Sequence, residues 1–155
     1  HGPGGAPLAL FESGAILLYL AEKTGRFLPQ DAARRIETIQ WLMFQMGGVG
    51  PMFGQVGFFH KFAGTEFEDK RPRDRYIAEA RRLLGVINQR LMGRAWIMGD
   101  EYTIADIAIF PWVRNLIEHY GAGDLVGYAD FPQVARALAA FVARPAVVRG
   151  VQIPA

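Results

Sequence analysis

The pair Glu12-Ser13 carries the clearest chemical possibility in the sequence. It stands where a short apolar run, Leu8 to Phe11, gives way to helical text containing Ile16 to Ala21. A serine at a helix amino terminus offers a hydroxyl beside unpaired backbone N–H groups, and the helix dipole favours an anion there. The adjoining carboxylate can meet an ammonium group. Together the two form a receptor for a zwitterion, with its carboxylate on Ser13 and its amine on Glu12. The same residues also read as a simple cap, with Ser13 closing its own helix. Ser13 is the sole serine, and Phe11-Glu12-Ser13-Gly14 is not a G-x-S-x-G elbow, which excludes a serine hydrolase.

Other chemistries are poorly served. The chain has no cysteine, so disulfides, thiolate nucleophiles and Cys-ligated zinc are excluded, and a reducing cytoplasm fits. His1, His60 and His119 stand at no paired metal spacing, and no metal site is expected. Gly48, Gly50 and Gly54 follow a helix, whereas a dinucleotide fingerprint follows a strand, so they read as a kink with close packing. Lys70, Arg71, Arg73 and Arg75 crowd the start of a helix, where positive charge is mildly unfavourable. A bound anion would relieve that repulsion, while a solvated face is the plainer account. The net charge of +2 and the interleaved Asp69 and Asp74 argue against nucleic acid.

The elements that must position these groups are mostly helices. The 155 residues are 51% apolar, enough for a packed core. The apolar run Ala15 to Ala21 is far short of the ~20 residues of a membrane span, and no signal peptide is evident. Leu8 to Phe11 reads as one strand and the text after Ser13 as a helix stopped by Gly25. Composition shifts near Pro29, where Asp31 is a plausible N-cap. Ile36, Ile39, Leu42, Met43 and Met46 mark an amphipathic helix that must loosen at Gly47 to Pro51. Further helices are predicted over 73–92, 103–120 and 131–143, with a terminal turn from Pro145 to Gly150 and a polar loop from Gly64 to Pro72. Thr103 and Asp106 read as a structural capping box, with Tyr102 and Ile107 at the staple positions. Met43, Met52, Phe53, Phe58 and Phe59 could line an adaptable apolar pocket, or serve as core and dimer interface.

The segment Phe11-Glu12-Ser13-Gly14-Ala15-Ile16-Leu17-Leu18-Tyr19-Leu20-Ala21-Glu22-Lys23 resembles the part of glutathione transferases that binds the γ-glutamyl end of glutathione. Gly99 to Asp106 is similar to the capping box and staple of their sixth helix, and Arg144-Pro145-Ala146-Val147 to their usual ending. Trp41-Leu42 with Gly47-Gly48-Val49-Gly50-Pro51-Met52 resembles the bacterial nu-class members and their fungal prion-forming relative.

That resemblance implies a fold in two parts. Residues 1–28 would be the carboxy-terminal remnant of a thioredoxin-like α/β domain, its last strand and helix. Residues 29–155 would form the family's all-helical C-terminal bundle, so the fold class is mainly α. It implies glutathione at Glu12 and Ser13, with Arg75 reaching glutathione bound to the other subunit of a homodimer. Met52, Phe53 and Phe58 become candidates for the second-substrate pocket. The implied chemistry is conjugation, peroxide reduction or disulfide reduction by the glutathione thiol, on an electrophilic, peroxide or disulfide substrate, without metal. The thiol-activating residue belongs to the first βα unit of the family. With the sequence opening at His1-Gly2-Pro3 and no initiator Met, that residue is expected outside these 155, and most of the thioredoxin-like domain with it. The competing expectation is a non-catalytic helical module for dimerisation or binding. Nucleic-acid and membrane partners are not expected.

Overall fold

The computed structural model describes residues 2–153, with the side chain of Pro3 left aside. Seven α-helices follow in order: α1 (Ser13–Thr24), α2 (Ala32–Phe44), α3 (Gly50–Lys61), α4 (Arg71–Arg90), α5 (Ile104–Arg114), α6 (Pro132–Val142) and α7 (Pro145–Gly150). Single π-turns extend two of them, Gln45–Val49 between α2 and α3 and Asn115–His119 after α5. Among the described residues the fold is all-helical.

The strand expected at Leu8 to Phe11 is not formed, and no β-strand remnant of a thioredoxin-like domain exists among the described residues. A strand is defined by its ladder, and no described residue pairs with this run in one. Leu8, Leu10 and Phe11 are left exposed, Phe11 at 83%. An isolated bridge between Trp96 and Gly99 is the one β-type pairing among the described residues.

Local chemistry explains the helix ends. Gly25 closes α1 in the left-handed conformation at φ 65°, which costs glycine little. Asp31 caps α2, accepting from the Arg34 amide at 2.9 Å. Pro51 lacks an N–H and its ring would crowd the carbonyl four residues back. The backbone widens before it into a π-turn, in which the Gly50 amide donates to the Gln45 carbonyl. The kink expected at Gly47 to Pro51 takes this form, and α2 runs through it into α3.

α5 is the central rod. Ile104, Ala105, Ile109, Phe110 and Val113 are all at most 1% exposed. All but Ile104 join Phe53, Leu83, Leu84, Ile87, Leu116 and Phe141 in the principal core. A smaller cluster, Ala21, Leu28, Leu42, Ile104 and Ala108, locks α1 and its following linker against α2 and α5. The Ile104 amide donates to the Phe27 carbonyl at 2.9 Å, giving a partner to one of the orphan amides of α5. An ion pair between Arg35 and Glu22 adds a second tie from α2 to α1. The Glu12-Ser13 end is therefore fixed relative to the bundle.

After α3 the chain folds back through a 3-10 turn, Ala63–Glu66, and Lys70 Nζ donates to the carbonyls of Thr65 and Phe67 at 2.9 and 2.6 Å. The turn needs glycine at 64. A β-carbon there would stand 2.7 Å from the Phe59 Cα and 2.8 Å from the Phe58 carbonyl oxygen, and backbone atoms of a helix cannot yield singly. Gly64→Ala is expected to cost about 1–3 kcal/mol by overpacking, read as a lowered urea midpoint with an unchanged slope.

Candidate functional site

The amino end of α1 is built without a side-chain cap. Glu12, not Ser13, occupies the N-cap position, and its side chain accepts from none of the first-turn amides. Its backbone lies at φ 67° and ψ 114°, a conformation that non-glycine residues seldom adopt. Such strain persists where surrounding structure enforces it, and it gathers at ligand sites. Ser13 is the first helical residue, so the self-capping reading of Ser13 does not describe this geometry. Among the described residues its hydroxyl meets only the Met46 sulfur at 3.9 Å, a weak acceptor. The exposed hydroxyl, the exposed carboxylate and the orphan amides of the first turn thus converge on one surface.

That surface is one end of a groove of about 360 Å³, walled by Gln45, Met46, Gly50, Pro51, Gly54, Gln55 and Trp112. Glycines permit its close packing. A β-carbon on Gly14 would stand 2.8 Å from the Met46 sulfur. One on Gly50 would stand 2.6 Å from the Gln45 amide nitrogen and 3.2 Å from the Trp112 indole nitrogen. α1, the first π-turn and α5 meet here.

Arg75 lies elsewhere. It is exposed and lines a separate depression of about 590 Å³ with Met52, Tyr76, Ala78, Glu79 and Arg82. Its neighbours are paired: Arg71 with Asp69, Arg73 with Asp74 and Arg82 with Glu79, each at 2.7 Å. Arg75 enters no ion pair among the described residues. Of the apolar pocket candidates, Met52 lines Arg75's depression rather than the Glu12 groove. Phe53 is wholly buried in the principal core, with no face left for a ligand. Phe58 is 38% exposed and packs edge-on against Phe59 in a cluster with Phe67.

Thr103 and Asp106 form the capping box, both fully buried. Thr103 Oγ1 accepts from the Ala105 amide at 3.3 Å and Asp106 Oδ2 from the Thr103 amide at 2.9 Å. Asp106 Oδ1 also accepts from the Ile97 amide at 2.8 Å, fastening the 96–99 loop. Among the described residues no cluster of His, Cys, Asp or Glu could hold a metal ion, and no helix is long and apolar enough to cross a membrane.

The C-terminal domain of glutathione S-transferases matches residues 71–144. A solved glutathione transferase family member from Pseudomonas fluorescens, with two glutathione bound, is 71% identical and superposes with a TM-score of 0.98, over 99% of this chain and 68% of that one. The chain belongs to the glutathione transferase superfamily. A second glutathione transferase of this superfamily, from Burkholderia graminis, carries two glutathione molecules per subunit. It is 74% identical at a TM-score of 0.96, over 99% of this chain and 64% of that one. The disulfide-bond oxidoreductase YfcG of Escherichia coli is 51% identical over 116 residues, which is 74% of this chain and 53% of that protein. The chain spans about half the length of the curated relatives it matches.

Two wall residues of the groove, Gln45 and Trp112, escaped sequence reasoning. A signal for Gln45 was present. Thr38, Leu42, Gln45 and Val49 recur at helical spacing and all are buried, so a polar amide sits in the inward stripe. Trp112 carries no such mark, since an aromatic within an apolar helix reads as core.

Proposed function

We propose that this chain supplies the γ-glutamyl-binding and helical parts of an enzyme that uses the glutathione thiol for conjugation, peroxide reduction or disulfide reduction. The observation that carries the reading is the uncapped start of α1, where strained Glu12 and the Ser13 hydroxyl flank free amides. A γ-glutamyl group is a zwitterion. Its α-carboxylate suits the hydroxyl and amides, and its ammonium suits Glu12. The solved relatives with bound glutathione support the same ligand. Residues 1–28 carry the recognition element and residues 29–155 the bundle.

The protein acts as a homodimer in the cytoplasm, as an enzyme of the nu-class type. Exposed Phe58, Phe62 and Phe67 near the end of α3 favour burial against a second copy. Arg75, outside every ion pair described above, is the group that reaches glutathione on the partner. Met52, beside it, is the better placed of the second-substrate candidates.

The test is on the ligand. By calorimetric titration, reduced glutathione binds, while the dipeptide cysteinylglycine, which lacks the γ-glutamyl group, binds at least about 100-fold more weakly. Equal binding would remove the assignment of Glu12 and Ser13. No binding of either would leave the helical dimerisation module as the reading.

A further inference from the structure

One side chain in the groove wall is held at a cost that packing does not explain. Gln45 is 2% exposed, and its Oε1 is buried without a hydrogen-bond partner. It is the sole such side-chain atom among the described residues. An orphaned buried polar atom destabilises the fold, and an apolar side chain of the same shape would avoid that loss. The residue also opens the π-turn Gln45–Val49, an element common at functional positions. The other end of its amide lies against Gly50, beside the Trp112 indole nitrogen, in the wall that Glu12 and Ser13 begin. The amide can exchange its ends by a half-turn about its last torsion. A ligand in the groove meets the end that lies against Gly50, and the half-turn lets either the oxygen or the nitrogen take that place.

We propose that Gln45 is a further binding residue of this groove, its side-chain amide hydrogen-bonding the peptide portion of a glutathione anchored at Glu12 and Ser13. This rests on the γ-glutamyl reading above and deepens it. Three features converge. The recognition pair, Met46, Gly50, Gln45 and Trp112 line one groove. Gly50, by lacking a β-carbon, admits both the amide and the indole to that wall. An extended peptide offers carbonyl and amide groups at successive positions, and an amide side chain can pair with either. The indole beside it lines the same groove.

Gln45→Met separates this role from a structural one, because methionine fills similar volume without polar atoms. In the full-length protein, thermal unfolding and calorimetric titration with reduced glutathione are measured for wild type, Gln45→Met and Ser13→Ala. The expected result is a melting temperature for Gln45→Met equal to or above wild type, with a Kd for glutathione raised at least about tenfold. In turnover, KM for glutathione rises while KM for the second substrate is unchanged. A Kd within twofold of wild type overturns the proposal, as does a fall in melting temperature accompanying the weaker binding. If Ser13→Ala weakens binding and Gln45→Met does not, the γ-glutamyl reading stands and this one fails. Wild-type protein that ignores glutathione removes both.

Discussion

Glu12→Gln combined with Ser13→Ala is expected to weaken glutathione binding by about 100-fold, with the melting temperature little changed. Glu12 as Gln keeps an acceptor oxygen but loses the charge that meets the ammonium. Ser13 as Ala loses the hydroxyl that meets the carboxylate. Hydrogen bonds to charged groups are worth about 1.5–3 kcal/mol each, so losing one and weakening another approaches about 3 kcal/mol, or two decades in Kd. Stability is spared because neither side chain supports the fold: both are exposed, Glu12 caps no amide, and among the described residues Ser13 meets only a thioether. Glu12→Gly supplies a contrast. Glycine relieves the backbone at φ 67° while removing the carboxylate. It should therefore be no less stable than wild type yet bind weakly. Isothermal titration beside thermal unfolding checks the set. Affinity within threefold of wild type in the double variant would show that the γ-glutamyl group is held elsewhere.

What could be read from the sequence follows the range over which each interaction acts. The capping box at Thr103 and Asp106, the cap at Asp31 and the Gly25 stop are settled within four residues, and each stands where the residue types place it. The break at Gly47 to Pro51 was legible because Pro51 cannot continue an α-helical ladder, although its π form was not. The strand at Leu8 to Phe11 failed for the opposite reason: alternation and β propensity say nothing about whether a neighbour exists. The groove is intermediate. Its Glu12-Ser13 end was visible in the local pattern, but the distant wall depends on α5 laying Trp112 across Gly50 and Gly54, a contact between positions 58 or more residues apart. Phe53 shows the limit of composition, since nothing in an aromatic's local context tells a core face from a ligand face.

The largest loss of stability is expected from Asp106→Ala, about 3–5 kcal/mol. Removing the carboxylate strands the amides of Ile97 and Thr103 in a site that is 0% exposed at Asp106. Each orphan costs about 1–3 kcal/mol, and the cap of α5 is weakened as well. The Ile97 bond matters most for reach, because it ties the connection after α4 to the rod on which Trp112 stands. Burial raises the Asp106 carboxyl to about 6, against the opposing effect of the hydrogen bonds it accepts from Ile97, Thr103 and its own amide. The ordinary value is 3.8, so between there and about 6 the folded chain binds the proton more tightly than the unfolded chain. The resulting stabilisation is complete below the lower value and is lost as pH rises through the upper one. Asp106→Asn, which cannot titrate, should therefore show its largest deficit against wild type near pH 4, narrowing by pH 7. Urea unfolding of both proteins across that interval decides the matter. A deficit that widens with pH would mean that the hydrogen bonds outweigh burial and hold the carboxylate ionised well into acid.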